Sequence, residues 1–204
     1  MPTWTMRFKF ICPVAFRRRI FMRAQLITRR EQTSIASQQR ASAMVCQQLQ
    51  QLDLFKSAQD IAFYWPVRGE IDARSLINAL IIENKKCYLP RLSTHTPRLL
   101  EFYRYDPEKN LIPNQFNIPE PAADPRYFIA TQKLDIVLAP LVAFDQENNR
   151  LGTGCGYYDT TFAFKKKNSA QKPFLIGLAY TWQKQVNLAQ NDWDVPMDLI
   201  CAGE

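Results

Sequence analysis

Leu134-Asp135-Ile136-Val137-Leu138-Ala139-Pro140 and, beyond a short loop, Arg150-Leu151-Gly152-Thr153-Gly154-Cys155-Gly156-Tyr157-Tyr158-Asp159 decide how this chain is read. Leu134 to Leu138 is apolar but for one aspartate, the pattern of a parallel strand covered on both faces. Pro140 follows it, the loop closes at Gly156, and Tyr157 to Lys167 reads as a helix. Outward from this strand–loop–helix unit the alternation repeats. Phe174 to Tyr180 and Met197 to Cys201 read as later strands. Upstream, Asp60 to Trp65 is a short buried strand stopped by Pro66 and Gly69, and Asp72 can cap a helix through Leu76, Leu80 and Ile81. Lys86 to Pro90 and Leu99 to Arg104 are further strands, and residues 105–125 form a long proline-rich loop. Thr33 or Ser34 can cap a helix through Ile35, Met44, Val45, Leu49 and Leu52. Residues 17–31 predict a basic amphipathic helix with Ile20, Phe21, Ala24 and Ile27 on its apolar face. Such alternation predicts one α/β domain with a mostly parallel central sheet flanked by helices.

The glycine loop is where chemistry concentrates. The chain has six glycines, at 69, 152, 154, 156, 177 and 203, and half of them fall in this one loop. Glycine lets backbone N–H groups turn toward an anion and approach it closely. A strand before the loop and a helix after it favour a phosphate cradle, with Arg150 as a cation beside it. A turn used only for packing is the alternative. The segment is neither G-x-G-x-x-G nor a Walker A sequence. Asp159 closes it, and a second acidic stretch follows, Asp192-Trp193-Asp194-Val195-Pro196-Met197-Asp198. Two carboxylates from separate loops suit Mg²⁺ with nucleotide phosphates, although acidic loops are also common as solvated surface.

Composition removes other classes. The 204 residues carry a net charge of +7, which at face value suggests nucleic acid or an anionic membrane. By position, however, residues 1–30 hold eight basic side chains and no acid, and the rest of the chain has one base fewer than it has acids. A uniformly basic coat is excluded; a local anion site near the N-terminus is not. Five cysteines at 12, 46, 87, 155 and 201, with no C-x-x-C pair, suit reduced thiols in the cytoplasm and exclude a zinc finger. A quiet, buried thiol is expected at Cys155. The single histidine, His95, lies in a turn-forming stretch, so a multi-histidine metal site is impossible and a Ser-His-Asp triad is disfavoured. No apolar run is long enough to span a bilayer. Residues 1–16 are expected to be a poorly ordered extension ahead of a domain at 17–204.

These stretches together resemble the 5-formyltetrahydrofolate cyclo-ligase (5,10-methenyltetrahydrofolate synthetase) family. The resemblance is carried by Leu134 to Pro140, Ala143-Phe144-Asp145, the segment 150–159, Ile176 to Tyr180 with Gln183 or Gln185 behind it, and Asp194-Val195-Pro196-Met197-Asp198. Glu70, Tyr88-Leu89-Pro90 and Asn117-Ile118-Pro119-Glu120-Pro121 add to it. It spans residues 17–204 in order. It implies a Rossmann-like domain of the NagB/RpiA/CoA-transferase kind, and an enzyme converting 5-formyltetrahydrofolate to 5,10-methenyltetrahydrofolate with Mg²⁺ while ATP becomes ADP and phosphate.

By this resemblance, Arg150 and the backbone of Leu151, Gly152, Thr153, Gly154, Cys155, Gly156, Tyr157 and Tyr158 hold the ATP phosphates. Asp159 and Asp194 bind Mg²⁺. Arg150, Tyr157 and Asp159 form the catalytic group. Arg19 and Arg23 in the first helix approach ATP, unless they belong to a solvated basic face, the simplest reading for Arg17, Arg18, Arg29 and Arg30. Glu70 contacts the folate, with Trp65, Phe116 and Tyr157 as aromatic walls; Phe116 could equally sit in the core. Thr153, Cys155 and Thr160 depart from common family residues and put some phosphate or substrate contacts in doubt. The resemblance implies a cytoplasmic protein, expected to be a monomer, with no nucleic-acid or membrane partner. The competing expectations are a folate- or nucleotide-binding protein that has lost turnover, and a basic arm acting on RNA or lipid.

Overall fold

The structure is a computed structural model, and it describes residues 13–168 and 172–204. Seven strands build one sheet: β1 Asp60–Ala62, β2 Lys86–Leu92, β3 Leu100–Arg104, β4 Phe128–Ile129, β5 Ile136–Pro140, β6 Phe174–Tyr180 and β7 Leu199–Gly203. Their order is β7-β6-β5-β1-β2-β3-β4. The first five in that order are parallel, and β3 and β4 extend the sheet antiparallel. The predicted α/β domain with a mostly parallel sheet is therefore present.

Both faces of the central strands are covered, as their apolar runs require. Ile136 and Leu138 of β5 and Ile176 and Leu178 of β6 face one layer. It is supplied by helices α2 (Ile35–Gln51), α3 (Asp53–Ser57) and α4 (Ser75–Ile82) through Val45, Leu49, Phe55, Leu76 and Leu80. Val137, Ala139 and Leu175 face the opposite layer, filled by Phe162, Val195 and Met197. Each of these side chains larger than alanine contributes roughly 1.5–3 kcal/mol by leaving water.

Several element ends differ from the sequence reading, for identifiable reasons. Helix α1 spans Pro13–Glu31, starting ahead of residue 17, with proline in the first helical position where its missing N–H costs nothing. The helix thus begins inside the expected extension at 1–16, and residues 1–12 lie outside the described residues. Ser34 caps α2, its hydroxyl accepting from the Ser37 N–H. Strand β5 begins two residues late because the Asp135 carboxylate instead accepts the Gln59 and Asp60 N–H groups. The helix expected from Tyr157 to Lys167 is only α5, Tyr157–Thr161, followed by a 3-10 turn over Ala163–Lys166. Phe162 breaks it by entering the core, and the Lys165 ammonium turns inward to the Pro173 carbonyl at 2.8 Å. Within the expected loop at 105–125, Ile112–Pro113 pairs with Pro119–Glu120 as a small hairpin, and Ala143–Phe144 pairs with Arg150–Leu151 ahead of the glycine loop. Among the described residues no helix is long and apolar enough to cross a membrane.

Candidate active site

From β1 the chain crosses to β2 on one side, whereas β5 lies on the other side of β1. This reversal opens a crevice beyond the carboxyl ends of β1 and β5, where ligands bind in open α/β sheets. Tyr64 and Trp65 follow β1, and Pro140 and Leu141 stand at the end of β5. A cleft of about 710 Å³ opens between these segments, with the glycine loop among its walls.

Helix α1 lies along this cleft, with an inward face other than the expected one. Of Ile20, Phe21, Ala24 and Ile27, read as the apolar face, Ile20 and Phe21 are 49% and 63% exposed, Ala24 is exposed and Ile27 is half-buried. The inward row is Arg19, Arg23, Leu26 and Arg30, the first three half-buried and Arg30 buried, at the three- and four-residue spacings that share a helix face. Met22 and Leu26 pack on Ala143, Leu151 and Leu188. Arg17, Arg18 and Arg29 are exposed as expected, and Arg29 stacks 4.4 Å from the Trp182 ring centre. Arg30 is the correction: it is 1% exposed, not solvated. Its position seven residues beyond Arg23 was the available signal, since two helical turns return to the same face.

At the glycine end, Arg23 Nε donates to the Gly152 carbonyl at 2.8 Å. Gly154 and Gly156 have φ of 109° and 74°, conformations that side-chain-bearing residues rarely adopt. Leu151 is buried against Met22 and Leu26, paired with Ala143 in the small hairpin, and its carbonyl accepts from Val142 N–H, so it is a support of the loop and not part of the cleft lining. Arg150 is 6% exposed; Nη2 donates to Asp159 Oδ1 at 2.7 Å, while Nε is buried without a hydrogen-bond partner among the described residues. Asp159 Oδ1 also accepts from Val195 N–H at 3.1 Å. Next to Val195, Asp194 Oδ2 accepts from Arg19 Nη1 at 3.1 Å and from Asn191 N–H at 2.9 Å. One peptide thus connects the two carboxylates, and each keeps one oxygen with no hydrogen bond among the described residues. Burial, then the neighbouring Arg19 charge, pulls the Arg23 guanidinium below its ordinary value, against the pull of Asp194 and Asp159. Two cations crowded in this way favour an anion beside them.

No group of three or more His, Cys, Asp or Glu side chains suited to a metal occurs among the described residues. A cation held by Asp159 and Asp194 would complete its shell with water or ligand oxygens, as Mg²⁺ does. Cys155 corrects the expectation of a buried thiol, because it is exposed on the glycine loop. Cys87 and Cys201 are buried, and desolvation pushes their thiols up to about 12 and about 11. Brief alkylation at neutral pH followed by peptide mapping should mark Cys155 well before Cys46, Cys87 or Cys201. Equal labelling of Cys87 or Cys201 would contradict this packing.

The other end of the cleft is aromatic and carries one acid. Phe116 is 48% exposed, so it is not core; its ring meets Tyr157 edge-on at 6.2 Å. Asn114 Oδ1 accepts the Phe116 and Ile118 N–H groups, and Asn114 Nδ2 donates to Glu120 Oε1, which also accepts Leu92 N–H. This clasp ties the hairpin carrying Phe116 to the end of β2. Glu120 and Asn114 were given no role from sequence, where Glu120 registered only as part of a family segment. The Trp65 ring borders the cleft and carries the Arg74 guanidinium 4.4 Å from its centre. Tyr158 stacks on Phe162 at 6.0 Å and lies 5.6 Å from the Arg150 guanidinium. Glu70 is 9% exposed; Oε2 accepts Val67 N–H at 3.1 Å, and Oε1 lies 3.3 Å from Arg30 Nη2. Burial raises its carboxyl above the ordinary range, opposed first by Arg30. Every predicted site residue except Leu151 thus lines this one cleft.

By fold and site this is an α/β protein with its cleft at the topological switch point. A sequence model described as the 5-formyltetrahydrofolate cyclo-ligase family matches residues 16–203. A Haemophilus influenzae protein named 5-formyltetrahydrofolate cyclo-ligase is 38% identical over 183 residues, 89% of this chain and 96% of its own length. An Escherichia coli K12 protein of the same name is 34% identical over 70% of this chain and 77% of its own. The Aquifex aeolicus 5,10-methenyltetrahydrofolate synthetase structure superposes with a TM-score of 0.76 at 28% identity, covering 90% of this chain and 89% of that one. The chain belongs to the 5-formyltetrahydrofolate cyclo-ligase family.

Proposed function

We propose that this chain closes 5-formyltetrahydrofolate to 5,10-methenyltetrahydrofolate, using ATP with Mg²⁺ and releasing ADP and phosphate, as a monomeric cytoplasmic enzyme. The observation that carries the reading is one continuous cleft joining the Arg150–Asp159 loop to the Glu70, Phe116 and Tyr157 wall. A phosphorylated and a flat aromatic substrate can therefore meet without a domain movement.

The N5-formyl oxygen is a poor leaving group. Transfer of the γ-phosphoryl group to it activates the formyl carbon. N10 then attacks that carbon, gives up its proton, and phosphate departs with the formyl oxygen. No protein nucleophile is needed, so the work is positioning and charge stabilisation. Arg150 fits the transferring group: its guanidinium is fixed by Asp159, and its buried, unpaired Nε is a donor awaiting an acceptor. Glycine-loop N–H groups, Arg19 and Arg23 serve the remaining phosphate charge. Asp159 and Asp194 fit a magnesium ion through their free oxygens, and the ion would neutralise phosphate charge there. Glu70 offers a carboxylate to the N–H donors of the pteridine, and Trp65, Phe116 and Tyr157 border the ring. The loop's anchoring contact to Arg23 runs through the Gly152 carbonyl, so it does not depend on the side chains at Thr153, Cys155 and Thr160, where family residues commonly differ.

Incubation of the full chain with 5-formyltetrahydrofolate and Mg-ATP should give the near-ultraviolet absorbance of the methenyl product, dependent on every component. A folded protein that gives no product would refute the reading.

A further inference from the structure

Arg30 is a fully buried cation whose place in the cleft needs a reason. Its Nε donates to the Arg68 carbonyl at 3.0 Å, its Nη1 to the Leu141 carbonyl at 3.2 Å, and its Nη2 faces Glu70 Oε1 at 3.3 Å. Arg68 and Glu70 follow β1, and Leu141 follows β5. One guanidinium therefore ties together the two segments that leave the switch point. The backbone of Arg30 is engaged as well: a Cβ on Gly69, whose φ is 72°, would come 2.7 Å from the Arg30 carbonyl oxygen. Glu70 is gripped from both sides, by Val67 N–H on Oε2 and by Arg30 on Oε1. Nη2 faces that oxygen without aligning a hydrogen bond, and it has no other partner among the described residues.

A buried cation that only braced the turn would be satisfied by the two carbonyls. A third nitrogen aimed at a carboxylate on the cleft wall assigns it a further task. We propose that Arg30 is a positioning residue for the folate end of the cleft, fixing Glu70 by ion pairing from the side away from the ligand. The inference rests on Glu70 being the folate contact proposed above. It makes α1 a rigid ruler. Arg19 and Arg23 stand at the glycine loop, and Arg30, about 10 Å further along the helix axis than Arg23, stands at the acid that takes the second substrate.

The charge environment of Glu70 gives this role a signature. Arg30 and Arg68 favour its ionised form; Tyr64 after β1, Tyr158 of α5 and Tyr180 of β6 also face it, as neutral hydroxyls. Burial raises the Glu70 carboxyl and Arg30 lowers it, so loss of Arg30 leaves the group protonated to higher pH. Binding that needs the carboxylate should then fail at a higher pH than in the wild type. An opposite charge at this range moves a carboxyl by about 1–3 pH units.

The test is calorimetric titration of 5-formyltetrahydrofolate into the full chain between pH 5.5 and 9, for wild type, Arg30→Met, Arg30→Lys, Glu70→Gln and Arg30→Met/Glu70→Gln. The ATP Kd is measured alongside. Arg30→Met should weaken folate binding about 10- to 100-fold, the loss expected for a charged hydrogen bond, with the ATP Kd within about twofold. Its acid limb should move to higher pH, Arg30→Lys should restore most of the affinity, and Arg30→Met should add less than about twofold in the Glu70→Gln background. Full multiplication of the two effects, equal weakening of ATP, or an unmoved acid limb would overturn the inference and leave Arg30 as a brace. If Arg30→Met does not fold, the Arg30→Gln profile decides: the amide keeps a donor for the backbone carbonyls but carries no charge, so an acid limb identical to wild type overturns the inference. A wild-type chain that binds no folate defeats the functional reading itself, and Arg30's role with it.

Discussion

Arg150→Met is expected to lower kcat by about 10²–10³-fold or more, the scale seen when one preorganised charge-stabilising donor is removed. The folate KM should change little, because Arg150 stands at the glycine loop rather than at Glu70. The side chain is 6% exposed, with Nη2 committed to Asp159 and Nε unpaired. Burial of that kind is costly unless an anion repays it during the reaction. The substitution also strands Asp159 beside the Val195 N–H, so a stability loss of roughly 3–5 kcal/mol accompanies it. Thermal unfolding measured beside steady-state kinetics separates the two effects. Arg150→Lys should recover stability more than turnover, since one ammonium cannot reproduce a planar fork. Full turnover in either variant would remove Arg150 from the transition state.

Asp159→Asn should act through the metal. Its Oδ1 is shared by Arg150 and Val195 N–H, and its other oxygen is free for a cation. The amide keeps an acceptor for Val195 but has no charge, so the Mg²⁺ concentration for half-maximal turnover should rise by about tenfold or more, which corresponds to about 1.4 kcal/mol of lost metal affinity. Asp194→Asn should do the same with a further loss of order in Arg19, which it holds at 3.1 Å. Undiminished turnover of Asp159→Asn at limiting Mg²⁺ would place the metal elsewhere.

The parts of the fold legible in the sequence were those set by local pattern. β6 was read to the residue, Phe174 to Tyr180, because an apolar run between turn formers has few other solutions. The glycine loop announced itself through composition. Less legible were features that depend on partners distant in the chain. Asp135 delays β5 by accepting N–H groups from Gln59 and Asp60. The inward face of α1 was misread because apolarity was taken to mark the buried side. The surface that α1 meets offers backbone carbonyls and carboxylates, so Arg19, Arg23 and Arg30 turn in while Ile20 and Phe21 face out. Asn114 and Glu120 form a clasp within a segment that the sequence marked only as a proline-rich loop with a family-like stretch. Cys155 was expected to be buried; the loop that takes positive φ at Gly154 and Gly156 leaves it exposed.

The central claim is that phosphoryl transfer to the formyl oxygen precedes ring closure in this cleft. It is tested most directly with 5-formyltetrahydrofolate carrying ¹⁸O in the formyl group, turned over by the full chain with Mg-ATP. The account predicts that the label appears in the released inorganic phosphate, one atom for each methenyl product formed. Label recovered in water, with unlabelled phosphate, would contradict it.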